Sequence, residues 1–125
     1  MDVGVQLPPA VATAAESADA KLGRDTVVLD VGDVLSIVEH FVITSAPNTR
    51  QVRTIAEDVE EKLKEADLGA PIRTEGLDDL TWVLLDYGDV VVHVFLDETR
   101  AFYDLERLWG DVARLPWEDE AARAE

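Results

Sequence analysis

Residues 81–95 read "TWVLLDYGDVVVHVF", and the organisation of the whole chain follows from how this stretch folds. Two runs, 81–86 and 90–96, are rich in β-branched and aromatic residues and are joined through Tyr87-Gly88. A two-residue loop with Gly at its second position suits a tight hairpin, so the runs are predicted to be antiparallel neighbours. Alternation along the first run places Trp82, Leu84 and Asp86 on one face and Val83, Leu85 and Tyr87 on the other. His93 stands among Val91, Val92, Val94 and Phe95. A lone His in such a run is read as a partly buried residue serving the sheet, ahead of a metal ligand or a base.

Outward from the hairpin, "TVVLDV" (26–31) and "HFVITS" (40–45) are short, β-branched and bounded by Gly, Asp and Pro, which predicts two more strands. Between them and the hairpin, Val52, Ile55, Ala56, Val59, Leu63 and Ala66 recur at helical spacing, predicting an amphipathic helix over Thr49–Ala66. Asn48 followed three residues later by Gln51 resembles a capping box, and Gly69 marks the exit. A thinner apolar stripe predicts a helix from Ala10 to Leu22, stopped by Gly23. "PIRTEG" (71–76) is predicted to be a short edge strand, because Pro71 cannot donate to a ladder. Asp97 is expected to cap a last helix from Glu98 to Trp109, with Phe102, Leu105 and Trp109 on one face and Gly110 ending it.

This pattern predicts an α/β fold: a single domain over 10–111 with a mixed β-sheet of about five strands flanked by helices. Residues 1–9, which include Pro8-Pro9, are expected to be a disordered N-terminal tail. Residues 112–125 are expected to be a solvated acidic C-terminal tail.

Composition narrows the function. With 27 Asp and Glu against 11 Lys and Arg, the formal net charge of the 125 residues is -16. Such a field repels phosphate backbones and anionic membranes and speeds encounter with basic proteins, so little direct RNA contact is expected. There is no cysteine, which excludes thiolate metal sites and Cys nucleophiles. No window approaches the roughly 18 apolar residues of a membrane span, and Met1–Gln6 lacks a basic stretch leading into an apolar one. A cytoplasmic location is the expectation.

The search for chemistry yields little. His40 and His93 have no partner at metal-ligand spacing. Asp30/Asp33, Asp78/Asp79 and Asp86/Asp89 lie at predicted strand ends or turns, where Asp serves local hydrogen bonding. The phosphate-cradling and nucleophile-elbow motifs do not occur. "SAPNTR" (45–50) could present helix N–H groups and Arg50 to an anion, but a capped helix start with an exposed Arg is the preferred reading. No catalytic residue, metal site or cofactor is predicted.

The segments "DTVVLDV" (25–31), "FVITS" (41–45), "RQVRTIAEDVEEKL" (50–63), "EG" (75–76), "WVLLDYGDVVVHVF" (82–95) and "RAFYDLERLWGD" (100–111) stand in the order seen in the Iojap or RsfS family of ribosomal silencing factors. The chain strongly resembles that family over most of 10–111, most specifically in "LDYGDVVVHVF" followed by "FYDLERLWGD". The resemblance implies a nucleotidyltransferase-like topology without transferase activity. It implies a partner, the large ribosomal subunit, held through its protein numbered fourteen on the face that meets the small subunit. Occupying that face would block subunit joining and repress translation under nutrient limitation.

The family's "W-x-L-L-D" strand maps partner binding onto Trp82, Leu84, Leu85, Asp86 and Tyr87, although alternation separates Trp82 from Tyr87. A homodimer is left open. At the loop before the long helix, Ala46-Pro47 replaces the family's common Gly-Thr or Gly-Ser, so contacts there are not carried over; the segment after Gly110 has no clear counterpart. The alternative is a divergent magnesium-dependent nucleotidyl or phosphoryl transferase using Asp30, Asp33 or Asp86. The Gly-Ser turn and Asp-x-Asp pair that such an enzyme resembles are absent from the sequence.

Overall fold

A computed structural model describes residues 7–118. The chain runs through α1 (Pro9–Ala20), β1 (Arg24–Asp30), β2 (His40–Ala46), α2 (Thr49–Glu65), β3 (Arg73–Glu75), β4 (Trp82–Asp86), β5 (Val90–Leu96), α3 (Asp97–Tyr103), α4 (Leu105–Leu108) and β6 (Ala113–Leu115). Six strands form one open sheet in the order β3-β4-β5-β2-β1-β6. β2 and β5 lie parallel at its centre, and the other neighbouring pairs are antiparallel.

The two faces of the sheet are covered unequally. α1 and α2 pack on one face, where Val28, Val42, Val83, Leu85, Val92 and Val94 meet Val11, Ala14, Val52, Ile55, Val59 and Leu63. On the other face Leu29, Phe41, Ile43, Val91 and Phe95 are met by Leu35, Val38, Leu105, Trp109 and Val112 from loops and short helices. β5 is apolar apart from His93 and buried on both faces, whereas β4 alternates half-buried and buried residues. That alternation marks β4 as the strand where the second face opens toward solvent.

Several local expectations change. α1 begins at Pro9, within the expected tail, because Pro fits the first helical turn where its missing N–H has no role. Leu7 packs against the core, and residues 1–6 of that tail lie outside the described residues. α1 ends through Leu22 in the left-handed region (φ 68). Gly23 serves another purpose: a Cβ there would collide with Thr44 Oγ1 and Ala18 O.

Asn48 Oδ1 accepts from Gln51 N–H at 2.9 Å, as a cap should. The reciprocal half of the box is missing, since the Gln51 amide donates instead to the carbonyls of Lys21 and Leu22. The hairpin loop is shifted by one residue. Tyr87 N–H donates to Val90 O at 2.8 Å, so the loop is Gly88-Asp89, with Gly88 at φ 96 in its first position.

The last helix is broken. Asp104 adopts φ 49, ψ 57 and separates α3 from α4, a conformation that Asp tolerates better than most residues. Asp97 lies in the first turn and pairs with Arg24 at 2.8 Å; it is not the N-cap. Residues 113–117, expected in a solvated tail, extend the domain. β6 pairs with β1 through Val28–Leu115, Leu29–Arg114 and Asp30–Ala113, and Trp117 Nε1 donates to Thr26 O at 2.8 Å. The remainder of that tail, 119–125, lies outside the described residues.

Candidate partner-docking surface

On the face away from α1 and α2, α3 rests over β5 and β2, leaving the β4 flank less covered. Trp82 and Leu84 are half-buried there. Trp82 is tied down from three sides. Its Nε1–H donates to His93 Nδ1 at 3.1 Å, its ring lies 4.8 Å from that of Phe95, and Tyr103 of α3 approaches at 4.9 Å. Phe102 continues the series, edge-on to Tyr103 at 5.0 Å. A chain of aromatic rings thus leads from the sheet onto α3 and out to solvent, where Phe102 is 80% and Tyr103 53% exposed. Large, stiff aromatic side chains that are held in place but left uncovered are the residues that anchor protein interfaces.

His93 supports this surface from beneath. It is buried between Phe41, at 4.7 Å edge to face, and Phe95. A ring nitrogen can accept the Trp82 proton only when it carries none itself, so His93 is neutral with its own proton on Nε2, which has no partner. Burial disfavours the imidazolium and lowers the pKa from 6.5 to about 4.

The structure separates the five residues predicted to bind a partner. Trp82 and Leu84 share the open face. Leu85 is fully buried against the helices behind the sheet and has no surface to offer. Tyr87 also turns to that side, packing on the α2 layer. Desolvation there, followed by the charge of Glu60, pushes its phenol up to about 12. Asp86 sits at the rim, accepting from Gly88 N–H at 2.8 Å and pairing with Arg73 at 3.1 Å. Its roles are the turn and the attachment of edge strand β3.

The carboxylates of the transferase alternative do not converge. Asp30 ends β1 and Asp86 ends β4, with β2 and β5 between them, a separation of about 14 Å at ordinary strand spacing. Asp33 lies in the exposed loop after β1. Among the described residues, no group of three or more His, Asp or Glu is placed to hold a metal, and no helix is long and apolar enough to cross a membrane.

Sequence reasoning missed Phe102, Tyr103 and Leu108, all exposed. A continuous helix would have turned Phe102 inward with Leu105 and Trp109. The break at Asp104 releases it, while Leu105 and Trp109 pack as expected. The one available signal was the identity of residue 104, an Asp inside a short helix.

Fold and surface together define the class: an acidic α/β domain with one aromatic sheet flank left uncovered. Comparison with known proteins gives the family. The family model described as "Ribosomal silencing factor during starvation" matches residues 5–125, including the C-terminal segment expected to have no counterpart. The ribosomal silencing factor RsfS of Bacillus subtilis is 38% identical over 98 residues, covering 78% of this chain and 82% of the relative. That of Chromobacterium violaceum is 41% identical over 88 residues, covering 70% and 71%. A crystal structure of a Chromobacterium violaceum protein superposes with a TM-score of 0.79 at 36% identity, covering 85% of this chain and 88% of that one. The chain belongs to the RsfS family of ribosomal silencing factors. The family's description names a silencing factor and not an enzyme.

Proposed function

We propose that this protein docks the Trp82–Leu84 flank and the neighbouring α3 aromatics on a basic protein of the large ribosomal subunit, the one numbered fourteen, and blocks joining of the small subunit. The observation that carries the reading is the aromatic chain from half-buried Trp82 to exposed Tyr103 and Phe102 on a domain of net charge -16. Such a charge is repelled by ribosomal RNA, so a cationic ribosomal protein is the foothold the electrostatics favour. A second copy of this chain could cover the same patch, but two such anions repel each other, whereas a basic partner gains from the same field.

The mechanism is occlusion, with no bond made or broken. The net negative charge steers encounter, and the aromatic centre, desolvated on docking, holds the complex. The transferase reading, with Asp30, Asp33 or Asp86 on magnesium, finds less support: Asp30 and Asp86 are kept apart by two strands, and among the described residues no three carboxylates or histidines are grouped to hold a metal.

The test is sedimentation of purified large subunits with the wild type and with Trp82→Glu. Co-sedimentation of the wild type and its loss in a folded Trp82→Glu variant are expected. Equal co-sedimentation of both would remove Trp82 from the interface.

A further inference from the structure

Arg100 is the one Arg or Lys buried among the described residues, and it sits on α3, the helix that carries Phe102 and Tyr103. All five of its N–H donors are used. Nε and Nη2 grip the two carboxylate oxygens of Glu106, on α4, at 3.1 and 2.7 Å. Nη1 donates to Arg24 O at 2.8 Å and to Ser45 Oγ at 3.0 Å, and Nη2 also donates to Asp25 O at 2.7 Å. One guanidinium therefore joins α3, α4, the start of β1 and the end of β2.

The backbone is shaped for this grip. Asp25 takes φ 48 and lies where the β1–β2 register slips between Arg24 and Val27. That irregularity frees two consecutive carbonyls for Arg100 instead of the ladder. Asp104 takes φ 49, which folds α4 back until Glu106 meets the guanidinium. A planar fork with fixed donors suits such a convergence; a lysine ammonium could not replace it. The bidentate pair also holds the Glu106 carboxyl below its ordinary pKa, through the Arg100 hydrogen bond first.

We propose that the α3–α4 elbow is the second half of the docking surface and that Arg100 is its positioning residue, fixing Phe102 and Tyr103 beside Trp82 before a partner arrives. This inference rests on the docking reading above. Neither short helix is long enough to be stable alone, and α4 has no fully buried residue. Without the Arg100 grip the elbow opens, and the aromatic chain from Trp82 to Phe102 is no longer preformed, so binding must then bear the cost of ordering it.

The test combines hydrogen exchange by mass spectrometry with affinity for purified large subunits. It compares wild type, Arg100→Gln, Glu106→Gln and Phe102→Ala. In Arg100→Gln, peptides spanning 97–109 are expected to lose protection while those of α2 and β5 keep theirs, and affinity is expected to fall roughly 30-fold, the loss of one aromatic anchor. Should Arg100→Gln fail to fold, Glu106→Gln is read instead, because it removes the ion pair and leaves the bonds to Arg24, Asp25 and Ser45. Phe102→Ala is expected to weaken binding with exchange unchanged across the domain.

An elbow that opens with affinity unaltered, or a Phe102→Ala variant that binds like wild type, would overturn the composite surface and leave Trp82 docking intact. An elbow that stays protected in both charge variants would overturn the role of Arg100. Wild type that fails to bind large subunits would remove the docking reading itself.

Discussion

His93 makes the stability of this protein depend on pH in a window that can be calculated. The folded ring accepts from Trp82 and is buried between Phe41 and Phe95, and its pKa is lowered from 6.5 to about 4. As pH falls through this interval the unfolded chain takes up a proton that the folded chain refuses, so stability drops. Below about 4 both states are protonated and the loss is complete. Between about pH 7.5 and about pH 5, before most carboxylates titrate, the linkage amounts to about 2 kcal/mol. Replacing His93 with Phe removes the titration. It also removes the acceptor for Trp82 Nε1–H, at a pH-independent cost of about 1 kcal/mol. Urea unfolding of both proteins at a series of pH values, followed by tryptophan fluorescence, reads the difference. Wild-type stability is expected to exceed that of His93→Phe near neutral pH and to drop below it by about pH 5, because the linkage loss is larger than the cost of the lost acceptor. Parallel stability curves for the two proteins would refute the buried neutral ring.

Other outcomes follow from neighbouring residues. Leu85→Ala should cost about 2–5 kcal/mol, because it empties a fully buried site behind the sheet, whereas Leu84→Ala, at a half-buried site, should lower the melting temperature less and weaken large-subunit binding. Calorimetry paired with sedimentation separates the two. Gly76→Ala should destabilise by more than about 1 kcal/mol, since Gly76 has φ 88 and a Cβ would strike the Trp82 carbonyl; thermal unfolding measures it. The association rate with the large subunit should fall as salt rises, while dissociation changes less, which stopped-flow fluorescence can follow.

Most of the fold was legible because period and punctuation agreed. The stripe from Val52 to Leu63 needed a helix, and the β-branched runs at 26–31, 40–45 and 90–96 needed strands. All of these form within a residue or two of the expected bounds. The misses share a physical cause: they rest on interactions between segments distant in sequence. β6 is only three residues long and exists because β1 offers it an edge. The elbow at Asp104 depends on a guanidinium held by carbonyls some 75 residues away. At the site, alternation along 82–87 separated Trp82 and Leu84 from Leu85 and Tyr87, as the structure has it. Phe102 and Tyr103 were hidden because helical periodicity cannot foresee a break set by tertiary contacts.

Occlusion is measured most directly by light scattering from mixed small and large subunits at a magnesium concentration that favours joining, with increasing amounts of this protein. The expected result is a saturable loss of joined ribosomes that Trp82→Glu does not produce. Joining that proceeds undiminished with every large subunit occupied would rule out occlusion.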